Sequence, residues 1–446
     1  MPLSTTILHE LRTIVGDAHV ITDETQLQNN SRDCYWFSPV LKPQLNDKVA
    51  DVMVRPATVD ELRAVIALAA KERIPVTLRG AGTGNYGQGI PMQGGILLST
   101  KRLDRILELT PQTMRVEAGT LLISMERSAR KIGAELRFYP STLLTATAGG
   151  FLAGGSGGVG SVTWGTLWDE GNVLSATVLT VEEEPQLITV SGMEALQGVI
   201  HNCGLTCVIV DLTFALAPEQ PWWQAVVAFD DFEAALRFGE SLATDEAVAK
   251  RLITVLEWPI PSFMIQLVKQ GGCPGGQAIV LLHVTMAQEE LAERAAHFGG
   301  AISWSGSAEN YLRKGLLLSD FAWNHTTLWA IKADEHWTYS QDQFSPTQVY
   351  EQLRLLKARY GDDLLCHIEF MKFKGVLYPQ GLSLIYYRSD EQIAEINAYS
   401  ESIGVWIANP HSHKLDDDVR WNGQPILDAR QRWDPYGLLN PGHLNK

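Results

Sequence analysis

Cysteine is sparse in this chain of 446 residues: five, at Cys34, Cys203, Cys207, Cys273 and Cys366. An odd, scattered set builds no disulfide framework, and Cys203 and Cys207 have no second pair to complete a zinc site. Reduced thiols in a cytoplasmic protein are the expectation. Long apolar runs are also missing. No stretch of 18 apolar residues occurs, so no helical membrane span is expected. The start, MPLSTTILHELRTIVGDAHVITD, lacks the basic opening and apolar run of a signal peptide. Positive charge is in deficit, with 36 Lys and Arg against 51 Asp and Glu, a formal charge of −15. That balance argues against nucleic acid or an anionic membrane surface as a partner. It leaves room for a small anionic substrate held in a local basic pocket.

What is present is a large apolar content, 45%, and 13 tryptophans. At this length two or three domains are expected. Thr58-Val59-Asp60-Glu61 has the form of a capping box, and Leu62, Val65, Ile66, Ala69 and Ala70 follow at helical spacing. The helix should end near Arg73, and a strand, Val76 to Arg79, should enter RGAGTGNYG (residues 79–87). Gly82 to Gly87 matches GxGxxG in form. A dinucleotide-binding turn must open a helix, however, and the following Gln88-Gly89-Ile90-Pro91-Met92-Gln93-Gly94-Gly95 will not carry one. A loop of bare amides can still cradle an anion as a nest; a wide glycine turn between strands is the plainer alternative. A second strand, Ile96 to Leu98, a third, Met114 to Thr120, and a helix ending at Gly133 should follow.

ATAGGFLAGGSGGVGSVTWG, residues 146–165, is dense in glycine interleaved with Thr, Phe, Leu and Val. That mixture suits close backbone approach to something better than a flexible linker. Strand-like VLSATVLTV and CVIVDLTFAL come next. After PEQPWW the rhythm changes to strands alternating with helices of about a dozen residues, which implies an α+β sheet layered by helices. The last forty or so residues are rich in turns and end in DPYGLLNPGHLNK.

VRPATVDEL (54–62), RGAGTGNYG (79–87), PST (140–142), TAGGFLAGGSGG (147–158) and DPYGLLNPG (434–442) together resemble the vanillyl-alcohol-oxidase/p-cresol-methylhydroxylase (PCMH-type) flavoproteins, with most likeness to the glycolate oxidase and D-lactate dehydrogenase branch. The resemblance implies an α+β fold: an FAD-binding domain of two subdomains, with a cap domain made of an antiparallel sheet covered by helices. The expected boundaries are 1–217 for the FAD-binding domain, 218–408 for the substrate or cap domain, and 409–446 for a segment returning to the first. It implies that Arg79, Gly80, Ala81, Gly82, Thr83, Gly84, Asn85, Tyr86 and Gly87 wrap the FAD diphosphate. It carries over Pro140, Ser141, Thr142, Thr147, Gly150, Gly157, Gly158, Gly160 and Gly165 from the second glycine segment, Val208 and Ile209 from a strand that meets the cofactor, and Asn440 from the returning tail. Where the family has glycine, Cys207 stands here. Some relatives attach FAD through a His in the first glycine loop. The matching position here is about Thr83, and no Cys lies in Gly149–Gly165. Non-covalent FAD is therefore expected.

Hydride transfer from a C–H bond calls for a base beside the hydroxyl and a cation for any carboxylate. Three clusters offer these groups. In NPHSHKLDDD (409–418), His411 and His413 are two apart; the resemblance places a Glu-His-Gly motif with a metal ligand here, but Pro410 replaces the glutamate, and no metal is assigned. In FAWNHTTLWAIK (321–332), His325 stands between Trp323 and Trp329, as a pocket wall or as core. In HIEFMKF and LIYYR, His367 and Glu369 share one strand face and Tyr386 and Arg388 another, lining a cavity or facing solvent. The expected catalytic set is His411, His413, Glu369, His325, Tyr386 and Arg388, the last as a carboxylate clamp. The expected function is oxidation of a small hydroxy acid or alcohol with an unassigned electron acceptor. The rivals are an electron-relaying flavin subunit of a larger glycolate-oxidase-type complex and, more remotely, a NAD-binding protein.

Overall fold

The computed structural model describes residues 3–308, 316–417 and 423–445. It contains four sheets. Thr58 caps the helix Val59–Lys71 by accepting the Glu61 N–H at 3.1 Å, and the Glu61 carboxylate takes the Ala57 N–H at 2.7 Å. The apolar stripe of that helix covers a four-stranded sheet of Val20–Ile21, Val52–Val54, Ile96–Ser99 and Val76–Arg79. The last three run parallel, and the glycine loop leaves the end of Val76–Arg79, the outer strand of the set.

Behind it stands a six-stranded antiparallel sheet around the long strand Val208–Pro218. The strand Ile106–Leu109 in this sheet has no strong sequence signal, because it is short and none of its residues is fully buried. The second glycine segment departs from expectation by forming two short helices, Ala148–Gly154 and Ser161–Trp164. Glycine disfavours helix by roughly 1 kcal/mol per residue, but tertiary contact overrides it. Thr147 caps the first helix through the Gly150 N–H at 3.3 Å, and a side chain at Gly149 would meet the Ala118 Cβ at 2.7 Å.

The second half of the chain forms an eight-stranded antiparallel sheet. Its centre is Trp223–Phe229, Ala278–Val284, Lys250–Leu256 and His367–Phe373. The helices Phe232–Thr244, Val349–Tyr360 and Asp390–Ser402 supply its second core layer. A three-stranded sheet, Trp337–Tyr339, Leu384–Tyr386 and Leu364–Leu365, lies beside it. The tail returns to the first sheet: Val76 donates to the Leu438 carbonyl at 2.9 Å, and Asn440 donates to the Val76 carbonyl at 2.7 Å. A helix, Gly423–Trp433, precedes that return.

A buried ionic cluster joins the two halves. Arg251, on a cap strand, meets Glu126 at 3.3 Å and Glu135 at 3.5 Å and donates to the Leu136 carbonyl at 2.8 Å. Arg130 bonds the same two carboxylates at 2.9 and 3.0 Å. Burial alone would raise the Glu126 carboxyl; Arg251 and Arg130 hold it below its usual range.

Candidate functional site

A cavity of about 1300 Å³ opens between the glycine loops and the cap. One wall comes from the two glycine segments: residues 79–86, 88 and 89, then Pro140, Ser141, Thr142, Thr147, Gly150, Gly157 and Gly158. These glycines do two jobs. A Cβ at Gly80 would run into the Thr147 hydroxyl, and one at Gly158 into the Tyr139 carbonyl, so these let two segments touch. At Gly89 and Gly154 an added Cβ would meet no atom within 4 Å; any side chain there would occupy the cavity itself. A wall of bare amides with space in front suits an extended diphosphate and its attached chain. It fits the flavin dinucleotide, and the volume admits it.

Other elements pin this wall. Cys34 donates its backbone N–H to the Gly84 carbonyl at 2.6 Å. Asn85 donates to the Tyr339 hydroxyl and Gln341 to the Tyr86 hydroxyl, so the cap grips the loop. Asp33, buried on the wall, accepts backbone N–H bonds from Tyr35 at 2.8 Å and from Gly89 and Gly87, and faces Arg79. Burial pushes its carboxyl up to about 7. Sequence reasoning missed Asp33 because a lone acid in a loop carries no pattern.

Five expected cofactor residues lie off the wall. Gly87 packs under the loop, where a Cβ would meet Leu45. Gly160 and Gly165 flank the short helix Ser161–Trp164 at φ 105° and 78°; they are turn residues, and a Cβ at Gly165 would meet Asp169 at 2.5 Å. Val208 points into the core of the first sheet, since strand alternation gives the cavity to Cys207 and Ile209 instead. Asn440, at φ 44°, clasps the loop from outside by donating to the carbonyls of Gln88 and, at 2.7 Å, Cys203. Gly150, by contrast, lines the wall beside Thr147. Ala81, Gly82, Thr83 and Gly84 do the same, although a Cβ at Gly82 would strike the Arg79 guanidinium. A further departure concerns chemistry: three thiols, Cys34, Cys203 and Cys207, line the cavity outside Gly149–Gly165. Burial pushes Cys34 up to about 11 and Cys207 up to about 12, and raises Cys203 as well. Protonated thiols are poor nucleophiles.

The opposite wall belongs to the cap. Trp323, Asn324, His325 and Leu328 come from the start of the helix Asn324–Ala333, Gln341 to Gln343 from a strand edge, and Met371, Phe373 and Gln380 from a hairpin. The His325 ring nitrogens have no hydrogen-bond partner among the described residues. Burial and, secondarily, Lys332 lower the imidazole to about 4, so it is neutral at ordinary pH. The Trp323 indole N–H is buried and unpartnered. Asp342 accepts hydroxyl bonds from Ser340 at 2.8 Å and Ser383 at 2.9 Å, and burial lifts it to about 7.

Of the expected catalytic set, His325 alone lines the cavity. His411 is buried with both nitrogens used: Nε2–H donates to the Tyr339 carbonyl at 2.9 Å, and Nδ1 accepts from the Ser38 hydroxyl at 2.8 Å. It joins the N-terminal segment to the cap. His413 is buried against His443, Nδ1 to Nδ1 at 3.4 Å. Arg388 is exposed and forms a two-point ion pair with Asp363 at 2.7 and 2.9 Å, so it clamps nothing in the cavity. Tyr386 stacks on His336 and reaches Asp334 at 3.3 Å, outside the site. Glu369 is buried one layer behind Trp323, in a bonded cluster with His367 and Thr254. Asp418, the end of the 409–418 segment, lies outside the described residues. His201, Trp168 and Gln197 also line the cavity, and no motif announced them.

Residues 50–186 match the FAD binding domain family. The D-lactate dehydrogenase of Archaeoglobus fulgidus is 27% identical over 201 residues, 42% of this chain and 43% of that protein. The glycolate oxidase subunit GlcD of Escherichia coli strain K12 is 27% identical over 201 residues, 43% of this chain and 40% of that protein. An uncharacterised FAD-linked oxidoreductase of Mycobacterium tuberculosis is 26% identical over 230 residues, so the chain spans about half the length of the curated relatives it matches. Among solved structures, an alkyldihydroxyacetonephosphate synthase superposes with a TM-score of 0.73 at 14% identity, over 100% of this chain and 87% of that one. The 4-ethylphenol oxidase of Gulosibacter chungangensis does so with 0.68 at 14% identity, over 98% and 96%.

Proposed function

We propose that this chain, whose residues 50–186 match the FAD binding domain family, is a PCMH-type flavoprotein and oxidises a C–OH group of a small hydroxy acid or alcohol. FAD, when bound, supplies the hydride acceptor. Everything else falls to the chain. The amides of residues 80–86 would hold the diphosphate, and Arg79 would offset its charge. The observation that carries the proposal is the unpartnered, neutral imidazole of His325 on the cap wall, facing the cavity from the side opposite the glycine loops. One of its nitrogens keeps a lone pair and takes the substrate hydroxyl proton as the C–H bond breaks. Trp323 and Asn324 orient the substrate beside it and limit water. A division near residues 217 and 408 belongs to the same proposal, because Val208–Pro218 closes the sheet behind the loops and Trp223–Phe229 opens the cap sheet.

The test is anaerobic mixing of the FAD-loaded protein with a panel of 2-hydroxy acids and neutral alcohols, following loss of flavin absorbance. At least one member should bleach the flavin. His325→Asn should slow bleaching by about 10²–10⁴-fold with FAD affinity unchanged. A panel that bleaches nothing favours an electron-relaying subunit and refutes the proposal. FAD is proposed to be dissociable: acid denaturation should free it to the supernatant, and colour retained in the pellet refutes that part.

A further inference from the structure

Trp323 has φ 52° and ψ −142°, a backbone region that glycine occupies easily and other residues avoid. It is no turn tip. It immediately precedes the helix Asn324–Ala333, whose first turn carries Asn324 and His325 on the cavity wall. A side-chain-bearing residue stays in such a conformation only when its surroundings over-determine it. The surroundings here are specific. Glu369, on the cap strand His367–Phe373 and 1% exposed, accepts the Trp323 backbone N–H at 2.7 Å. The same oxygen accepts the His367 Nε2–H at 2.9 Å, and the other oxygen accepts the Thr254 hydroxyl at 2.7 Å. His367 is fully buried, and its Nδ1 has no partner among the described residues. The carboxylate is thus locked from both sides by a rigid sheet. From the helix side, Thr326 bonds the Phe321 carbonyl at 2.6 Å and Trp329 bonds that of Asp320 at 2.9 Å.

We propose that Glu369 is a positioning residue: its carboxylate, fixed by His367 and Thr254, holds the Trp323 backbone in its glycine-like conformation and so aims Asn324 and His325 into the cavity. A buried acid with a polar sleeve of this kind is an expensive way to fill a core; its geometry makes sense as an anchor. The role deepens the reading of His325 as the base, and rests on it.

The test uses FAD-loaded full chain and three readouts: amide hydrogen exchange across residues 321–328, the rate of His325 carbethoxylation by diethyl pyrocarbonate, and flavin bleaching. Glu369→Ala should speed exchange at the helix start by roughly tenfold. It should change His325 reactivity and lower the bleaching rate at saturating substrate more than it shifts the half-saturating concentration. Glu369→Gln keeps an oxygen for the Trp323 N–H and should stay within about twofold of the parent in all three. Parent-like exchange in Glu369→Ala, or a Gln variant as impaired as Ala, overturns the proposal. Trp323→Gly guards against simple misfolding, since glycine holds this φ and ψ unaided. Adding Glu369→Ala to it should give a soluble, FAD-binding protein with little further exchange; an insoluble double variant, or a step as large as in the parent, overturns the proposal. Failure of the base reading is separable, because it shows in the bleaching rate of His325→Asn and leaves amide exchange untouched.

Discussion

Replacing Asp33 with Asn tests how the amide wall meets charge. The carboxyl sits on that wall, buried, with Arg79 opposite and the Tyr35, Gly89 and Gly87 amides bonded to it. Burial outweighs these partners and brings it to about 7. Its folded value is thus above its unfolded one, so the folded state holds the extra proton. Stability is greatest below the unfolded value and falls as pH rises toward about 7. A bound diphosphate adds fixed negative charge to the same wall and raises the carboxyl further. Linkage then requires proton uptake on FAD binding above about pH 7. The FAD Kd should climb there by up to about tenfold per pH unit, or about 1.4 kcal/mol per unit. His325, His411 and His413 lie near 4 and do not titrate in this window. Asp342, also at about 7, does, so Asp342→Asn is the companion variant. FAD titrations by fluorescence quenching between about pH 6 and pH 9 read the slope. Asp33→Asn should flatten it by close to one unit and bind FAD more tightly at the alkaline end, because the amide keeps an acceptor for the loop N–H groups. A parent Kd flat across neutrality, or an Asn variant with the parent's slope, refutes the reasoning.

The glycines divide into two experimental classes. Gly158→Ala drives a methyl into the Tyr139 carbonyl and should lower stability by about 1–3 kcal/mol in denaturant unfolding. Gly89→Leu meets open space and should leave the apoprotein's unfolding midpoint alone while weakening FAD binding. Arg251→Ala leaves Glu126 and Glu135 buried with Arg130 as their shared cation and should cost about 3–5 kcal/mol, read by the same unfolding measurement; a loss under about 1 kcal/mol would mean the seam is wet. Arg388→Ala should leave the half-saturating concentration of any bleaching substrate unchanged, since its partner is Asp363 on the surface; a tenfold rise would put it back in the site.

Much of the fold was legible because its signals are local. The Thr58–Glu61 box, the periodicity behind it and the strand Val76–Arg79 appear where they were read. Gly80 and Gly158 announced close approach because a missing Cβ has that use. What escaped reading depended on distant parts. The helix at Ala148–Gly154 forms against its own propensity because Ala118 lies over it. Ile209 rather than Val208 meets the cavity because the register of Val208–Pro218 on Val173–Leu179 decides which face looks inward, and that register contains shifts. The helices Val349–Tyr360 and Gly423–Trp433 went unremarked because their apolar faces are narrow and interrupted by charge.

The histidines show where sequence reading runs out. His411 and His325 each follow a turn and sit among aromatic and amide residues, and nothing local separates a base from a structural imidazole. The difference is made elsewhere. Ser38, hundreds of residues away in the chain, and the Tyr339 carbonyl occupy both nitrogens of His411, turning it into a cross-link between the N-terminal segment and the cap. His325 lines the cavity two residues after Trp323, whose backbone N–H is taken by Glu369 from another strand. A glycine acts through what it lacks, and that can be read at its own position. A catalytic imidazole acts through which of its nitrogens remain unspent, and that is decided by residues the sequence places far from it.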